Sequence, residues 1–591
     1  MTFEQIAILS IIFVVLLLFL WGRWRYDIVA LMALGILVLL GLIPENEVFY
    51  GFGHPATITV AIVLVISYGL TKSGVAECIG KISSPISSPS INIAILIFVT
   101  AFLSAFMNNI GALALMMPVA IQSTIKAGRS PSTVLMPLSF GSILGGLVTM
   151  IGTPPNIIIS TYREQISGQA FSMFDFAPVG GIVALVGLIF MAFIGWRLVK
   201  IRHTSSSADL FDIEGYLFEV KIVKDSVLID KAVFELEKEI VEKNISLISL
   251  IHKSTQYAIA PKSYKFVDGD LLILEGSHED IDQLVSDFKL QLVEVGDTKD
   301  AILHSEDTII MEMVVAPDSR IEYRTVAGIR FRHNLNVNLL AVSRQGEPYR
   351  GRIRNFCFRA GDVLLIHGEK ENVEEAITKL GCYPLAERKI DFGKRKMMIP
   401  SLLIFICAIL LSTLGMLSIQ VSLGLAMIAM VILRIIPVRE IYDGIDLSII
   451  VLLGSMIPIG IALESTGTTK ILADMLISIA GDTSPVMVLI LLLIITMTLS
   501  DILNNATTAI LMAPIAKDIA IGIGVNVDPF LMTVAIGSSC AFLTPIGHQN
   551  NALIMGPGGY KFKDYWKMGL PLEVIIAIVT IPFILIFWPF Y

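Results

Sequence analysis

The sequence has little charge and carries no metal-binding or catalytic signature. Only 16% of its 591 residues are Asp, Glu, Lys or Arg, whereas 55% are apolar, and the mean hydropathy is +0.77. That balance excludes an ordinary soluble protein of this length. The five cysteines (Cys78, Cys357, Cys382, Cys407, Cys540) lack both the spacing of a zinc site and the density of a disulfide framework. The net charge of −8 is modest and mixed in sign, so nothing suggests a nucleic-acid partner. No carboxylate pair, Ser/His/Asp set or phosphate loop stands in the charged central stretch, and the chain does not read as an enzyme. A TVGYG-like filter is also missing, which argues against a potassium channel. The first apolar run, 6–21, has neither a basic leader nor a small-residue cleavage site, and is expected to be a retained span.

What is present is a repeat. MNNIGALALMMPV (Met107 to Val119) and LNNATTAILMAPI (Leu503 to Ile515) share their Asn-Asn pair and their Leu-Met-x-Pro tail at one constant offset. After a one-residue slip the match resumes: Thr149, Ile151, Gly152 and Asn156 correspond to Thr544, Ile546, Gly547 and Asn551. Polar breaks at corresponding places in two hydrophobic halves are the sequence pointer to a transport site at the bilayer midplane. The expected fold is an α-helical polytopic membrane protein of two inverted-topology repeats.

Apolar segments run at about 5–22, 26–44, 56–72, 91–121, 133–161 and 176–198, and again at about 396–414, 416–436, 446–463, 484–520, 529–555 and 571–590. Segments 91–121 and 484–520 exceed the ~20 residues of one crossing and are read as re-entrant hairpins with the Asn-Asn pairs at their tips. Segments 133–161 and 529–555 are read as true spans, unwound at Gly152-Thr-Pro-Pro and Pro545-Ile-Gly. Each half then crosses five times, so the halves have opposite topology. With both termini outside, the inner loops collect Arg23, Arg25, Lys72, Lys81, Lys126, Arg129, Arg197, Lys200, Arg202, Lys394, Arg395, Lys396, Arg434, Arg439, Lys561, Lys563 and Lys567, against Arg163, Lys470 and Lys517 outside. That is the bias expected of cytoplasmic loops, and it places the protein as multi-pass in the cell (inner) membrane.

Between 201 and 389 the sequence becomes charged and strand-like, and it too repeats. FVDGDLLILEG (Phe266 to Gly276) matches FRAGDVLLIHG (Phe358 to Gly368), and NISLISLIHK (Asn244 to Lys253) matches NVNLLAVSRQ (Asn336 to Gln345), with helices expected near 279–288 and 370–380. This insert resembles the TrkA-C module in tandem, at 210–297 and 303–388, between membrane halves at 1–200 and 394–591. The topology puts it in the cytoplasm. It has no GxGxxG after a strand, so the dinucleotide-binding half of complete potassium-conductance regulators is not expected. A nucleotide or other small ligand at the modules and a structural dimerising role are both open readings.

The hairpin motif, GTPPN, TPIGHQNN and GPGGYKFKDYWKMGLPL (Gly556 to Leu572) together resemble the divalent-anion:sodium symporter (DASS) family, in particular its sulfate-transporter-like branch with TrkA-C domains between the membrane halves. The resemblance covers nearly the whole chain. It implies a homodimer that binds its substrate and two sodium ions at hairpin tips and broken spans. Carried over by position, one sodium site draws on Ser104, Asn108 and Gly152 and the other on Ser500, Asn504 and Gly547, with Asn156, Thr544 and Asn551 of the breaks alongside.

The residue chemistry agrees. Carbonyls released by broken helices, with Ser, Thr and Asn oxygens, suit a dehydrated Na⁺. The amides of Asn108, Asn109, Asn504 and Asn505, the hydroxyls of Thr153, Thr507 and Thr508, and half-helix N-termini suit an anion. No Arg or Lys falls at the expected midplane, so bound sodium would supply the positive field. The dicarboxylate members carry Ser-Asn-Thr at each tip, whereas this chain has Asn108-Asn109-Ile110 and Asn504-Asn505-Ala506, which favours a compact oxyanion, sulfate above all. Asp501 is expected near midplane depth, as a cation ligand, proton carrier or structural carboxylate. His548 in the second break is more often hydrogen-bonded than coupled to transport, and His54 is expected at the interface. The reading is a cation-coupled importer of an inorganic divalent oxyanion; the alternatives are a dicarboxylate symporter, an Na⁺/H⁺ or metalloid-oxyanion exchanger, a regulated channel and a sulfur-status sensor.

Overall fold

A computed structural model of the chain describes every residue except 22–23, 74–87, 128, 201–216, 243–244, 253–254, 258–262, 276–277, 294–307, 318, 345–346, 350–352, 386–396 and 481–483. The sequence assignments of Arg23, Cys78, Lys81, Arg202, Lys394, Arg395 and Lys396, and the insert limits 210, 297, 303, 388 and 394, lie outside the described residues. The chain divides into one unit of Met1–Ile201, Lys389–Ile554 and Lys561–Tyr591 and another of Arg202–Arg388 and Met555–Tyr560.

The first half of the larger unit runs α1 (Phe3–Trp21), α2 (Tyr26–Leu39), α3 (Pro55–Lys72), α4 (Pro89–Ser104), α5 (Asn109–Lys126), α6 (Leu135–Gly146), α7 (Pro154–Ser167) and α8 (Ala177–Phe193). Proline at the first helical position starts α3, α4 and α7, where its missing N–H costs nothing. Glycine ends α7, at Gly168 with φ 75°.

The smaller unit holds β1 (Leu217–Lys221), α9 (Val233–Glu242), β2 (Ser246–His252), β3 (Thr255–Tyr257), β4 (Leu271–Glu275), α10 (His278–Phe288), β5 (Gln291–Val293), β6 (Thr308–Val315), α11 (Val326–Ile329), α12 (Phe331–Leu335), β7 (Asn338–Arg344), β8 (Glu347–Pro348), β9 (Val363–Glu369), α13 (Lys370–Leu380) and β10 (Cys382–Pro384). Two antiparallel sheets form, with orders β3-β2-β4-β1-β5 and β10-β6-β9-β7-β8. Read from its other edge, the second is the first with every strand replaced by its repeat partner. Even the register shift recurs, between Leu247 and Ser249 on β2 and between Leu339 and Ala341 on β7. Each sheet buries one face on its own helices, around Phe266, Leu272 and Leu274 in one case and Phe358, Leu364 and Ile366 in the other.

The second half of the larger unit continues with α14 (Met398–Thr413), α15 (Ile419–Ile432), α16 (Leu447–Ser465), α17 (Thr468–Ala480), α18 (Pro485–Ser500), α19 (Asn505–Ile523), α20 (Asp528–Ser539), α21 (Gln549–Met555) and α22 (Phe562–Phe587). Among the described residues, Glu45–Lys72, Leu447–Ser465, Asn505–Ile523 and Phe562–Phe587 are long and apolar enough to cross a membrane, and further apolar helices of 10–17 residues accompany them. The result is a mostly helical, multi-span membrane protein with a central α+β region.

Two helical pairs break the pattern of simple spans. Helices α4 and α5 lie side by side and antiparallel, because Asn92 near one far end bonds Ser123 near the other at 3.3 Å while Ser104 meets Asn109 at the connection at 2.6 Å. The sixteen residues of α4 rise only about 24 Å, short of a ~30 Å hydrocarbon core. Helices α18 and α19 meet through the corresponding pair, Ser500 and Asn505. Pro118 and Pro514 lie inside α5 and α19 at matching places, each removing one helical hydrogen bond.

Candidate functional site

The tip of each hairpin is an Asn-Asn pair whose two members do different work. Asn108 and Asn504 cap the helices that follow: Asn108 Oδ1 accepts from Ile110 N at 3.3 Å and Asn504 Oδ1 from Ala506 N at 2.9 Å. Capping is the ordinary use of Asn at this position. Asn109 and Asn505 turn back instead, meeting Ser104 at 2.6 Å and Ser500 at 3.0 Å. Sequence reasoning joined Ser104 to Asn108 and Ser500 to Asn504; the structure brings each serine to the second asparagine of its pair.

The breaks are built as a matched pair beside the hairpins. Between α6 and α7, Asn156 donates its amide to Thr149 O at 2.9 Å. Between α20 and α21, Asn551 donates to Thr544 O at 3.0 Å and Ala541 O at 2.9 Å. These amides take up carbonyls that the lost helical turns leave without N–H partners. The threonines tie each break to its hairpin: Thr149 Oγ1 donates to Ala105 O, and Thr544 Oγ1 to Asp501 O at 2.7 Å.

Glycine is required where break and backbone meet. A Cβ on Gly152 would stand 2.6 Å from Gly146 O, and one on Gly547 would stand 2.9 Å from Asp501 Cα and from the carbonyls of Ser500 and Asp501. Backbone oxygens therefore crowd the points where the motif places Gly152 and Gly547.

The halves also meet each other here. Asn550 Nδ2 donates to Asn109 O at 3.3 Å and also bonds Ser142 Oγ, while Ser139 Oγ donates to Asn551 Oδ1 at 2.8 Å. His548 Nε2 lies 3.4 Å from Asn109 Nδ2, and His548 Nδ1 accepts from Asn550 N at 3.1 Å. Ser139, Ser142 and Asn550 are absent from the sequence-derived site. The two serines lie on α6, every residue of which is buried, and a Ser in a buried helix of apolar neighbours was the one signal available.

Two acids flank the second break. Asp501 Oδ1 accepts from Leu543 N at 2.9 Å, and Glu573 Oε1 of α22 accepts from the preceding Phe542 N at 3.4 Å. Both side chains are buried. Sequence reasoning missed Glu573, although an acid inside an apolar run is itself a signal.

Among the described residues, Asn156 Oδ1, Asn550 Oδ1 and Asp501 Oδ2 are buried acceptors that take no N–H or hydroxyl, and the Asp501 carboxyl lies within hydrogen-bond reach of the Glu573 carboxyl, so a proton shared by the two acids can join them. A buried oxygen acceptor with no donor calls for an ordered water, an ion or a shared proton to satisfy it. Thr507 and Thr508 lie in the first turn of α19, directly after the tip, and the buried Thr507 hydroxyl has no hydrogen-bond partner among the described residues. Thr508 Oγ1 bonds back to Asn504 O at 3.3 Å, and Thr507 lines a small apolar cavity of about 10 Å³ with Ile11, Met456 and Leu511. Thr153 is buried at the start of α7, where its side chain makes no cap hydrogen bond. His54 caps α3 through Nδ1 and reaches Gln165 at 2.6 Å.

In the smaller unit each module carries an acid in the same turn. Asp270 and Asp362 follow Gly269 and Gly361, whose φ of 93° and 83° needs glycine. Asp270 takes His252 at 2.6 Å, and Asp362 takes the matching Arg344 through two bonds of 2.7 Å. Burial pushes the Asp362 carboxyl above the ordinary carboxylate range, and Arg344 pulls it part of the way back.

The chain matches the family profile described as a citrate transporter (CitMHS) over residues 16–537 and 424–591. It is 30% identical over 584 residues to the uncharacterized transporter sll0640 of Synechocystis sp., covering 97% of this chain and 95% of that one. It is 26% identical over 581 residues to a putative sulfur deprivation response regulator of Chlamydomonas reinhardtii, covering 95% and 98%. Sodium/sulfate cotransporter 2 of the same alga is 24% identical over 339 residues, covering 54% of this chain and 38% of that protein.

Proposed function

The chain belongs to the CitMHS/DASS-like family of secondary transporters, and from that premise we propose that it imports an inorganic divalent oxyanion, sulfate, coupled to Na⁺. The observation that carries this reading is the duplicated hairpin and break. Each copy sets Asn amide donors beside crowded backbone carbonyls, and each contains a buried oxygen that takes no N–H or hydroxyl among the described residues, Asn156 Oδ1 in one and Asp501 Oδ2 in the other. In this assignment the cations take Ser104, Asn108, Gly152 and Asn156 in one copy and Ser500, Asp501, Asn504, Thr544, Gly547 and Asn551 in the other. The anion takes the amides of Asn108, Asn109, Asn504 and Asn505 and the hydroxyls of Thr153, Thr507 and Thr508.

The finer architecture belongs to the same reading. Each half is one inverted-topology repeat of five spans plus a re-entrant hairpin, with both termini outside. The insert is a cytoplasmic pair of TrkA-C-like modules able to take a nucleotide or other small ligand, and the protein is a homodimer. Transport proceeds by alternating access of the hairpins and broken spans against the remaining helices.

The family profile's description makes citrate the rival substrate. Against it, the tips carry Ile110 and Ala506 where a hydroxyl would hold a second carboxylate. A thermal-shift panel decides. Sulfate should raise the melting temperature only when Na⁺ is present, and at about a hundred times its Kd the gain is about 2.7 kcal/mol. Protection by citrate alone overturns the sulfate assignment. The name of the algal regulator favours a second reading, a sulfur-status sensor; sodium-dependent sulfate binding without net flux would select it.

A further inference from the structure

The two modules of the smaller unit repeat one turn, and the two turns have different surroundings. In the first, Phe266-Val267-Asp268-Gly269-Asp270, Val267 is 47% exposed and a Cβ placed on Gly269 would meet nothing within 4 Å. In the second, Phe358-Arg359-Ala360-Gly361-Asp362, Gly361 is buried, and so is Val363, whose match Leu271 is only half-buried. The chain seated against this second turn is Met555–Tyr560, which packs with the smaller unit although it joins α21 to α22. A Cβ on Gly556 would run into the carbonyl oxygen of Gly361 and stand 3.1 Å from Val363 Cγ2, so the two backbones touch with no side chain between them.

Both sides of this contact are braced. Asp362 holds its turn by taking two bonds from Arg344 and accepting from Arg359 N at 2.7 Å, while Gly361 N donates to Val315 O at 2.9 Å. The loop closes on itself: Tyr560 N donates to Met555 O at 2.9 Å and Gly559 N to Gly556 O at 3.0 Å, and residues 556–560 are all buried. Met555 is the last residue of α21, whose first turn carries Asn550 and Asn551. Only about 6 Å of helix separates Asn551 from Met555. Beyond the loop, Tyr565 Oη donates to Asn551 O at 2.5 Å, which ties the start of α22 to the same helix. A close-packed backbone contact of this kind transmits a displacement instead of absorbing it.

We propose that the second module, and not the first, regulates the transport site: its Gly-Asp turn is seated on the loop that continues α21, so a displacement of that turn shifts Asn550 and Asn551. The proposal rests on the transporter reading and adds the regulation of its site. The first module's turn, with its glycine open, takes no part in this linkage.

The repeat supplies its own control, because Asp362→Asn and Asp270→Asn are the same substitution at matched positions. In hydrogen exchange on the full-length protein in detergent, each variant should loosen its own turn. Asp362→Asn should also raise exchange at 549–560 on the order of tenfold, whereas Asp270→Asn should leave it within about twofold. From the other side, Gly556→Ala should raise exchange at 359–364 and leave 267–272 as in the wild type. With Na⁺ present, the sulfate concentration for half-maximal thermal protection should rise about fivefold or more in Asp362→Asn and stay unchanged in Asp270→Asn. Equal effects of the two Asp variants on 549–560, or none from Asp362→Asn once its own turn has loosened, overturn the inference. So does a linked change in exchange with an unaltered sulfate titration, which would make the contact a structural tie alone. If sulfate with Na⁺ protects no form of the protein, the importer reading fails, and the exchange comparison still decides the linkage.

Discussion

Asn156 and Asn551 stand at corresponding places in two broken helices and hold the same carbonyl, Thr149 O at 2.9 Å in one and Thr544 O at 3.0 Å in the other. Removing either amide leaves a buried carbonyl unpaired, at a cost of about 1–3 kcal/mol. Asn551 also accepts from Ser139 across the repeats at 2.8 Å, and Asn156 Oδ1 has no donor. Asn551→Ala should therefore lower the melting temperature more than Asn156→Ala. In a calorimetric comparison, equal losses would contradict the asymmetry.

The glycines give a sharper contrast. A Cβ at Gly152 or Gly547 would meet backbone atoms at 2.6 to 2.9 Å, closer than van der Waals contact allows, whereas one at Gly181 in α8 meets nothing within 4 Å. Gly152→Ala and Gly547→Ala should each abolish sodium-dependent protection by sulfate. Gly181→Ala should leave it intact and be neutral or slightly stabilising, since alanine is the better helix former. The measurement is melting temperature with and without Na⁺ and sulfate.

Asp501 separates coupling from architecture. Asp501→Asn keeps an oxygen for Leu543 N, now 2.9 Å away, and replaces one carboxyl of the Asp501–Glu573 pair by a neutral amide. If Oδ2 is a cation ligand, the Na⁺ concentration for half-maximal protection should rise on the order of tenfold. An unchanged Na⁺ titration assigns Asp501 to structure alone.

His367 on β9 makes the smaller unit sensitive to acid. It is 2% exposed, neither ring nitrogen has a partner, and burial lowers its pKa from 6.5. The unfolded segment takes up a proton near pH 6.5 while the folded one stays neutral. His367 is therefore neutral in both forms above that pH, and below it the folded form loses stability as pH falls toward the folded pKa, by up to about 1.4 kcal/mol per unit. Hydrogen exchange of β9 in the full chain, corrected for intrinsic rates, should lose protection between pH 7.5 and 5.5, and His367→Leu should flatten that dependence.

The duplications were legible in the sequence because each is a run of identical residue types at one offset. They foretold the two hairpins, the two breaks and the twin sheets, whose paired acids Asp270 and Asp362 lie in the matched GD turns. Which atom of a motif residue faces the site was not legible. Asn108 and Asn504 spend their oxygens on helix caps, and the Thr508 hydroxyl bonds back to Asn504 O. Orientation follows from helix phase and competing backbone donors, which a residue list does not contain. Partners such as Ser139, Ser142 and Glu573 come from helices distant in sequence, and only tertiary packing brings them to the breaks.

The most direct test of the account is uptake of labelled sulfate by the purified protein in sealed liposomes. The account predicts accumulation when an inward Na⁺ gradient is imposed, and none with equal Na⁺ on both sides. Uptake indifferent to both Na⁺ and H⁺ gradients would contradict it.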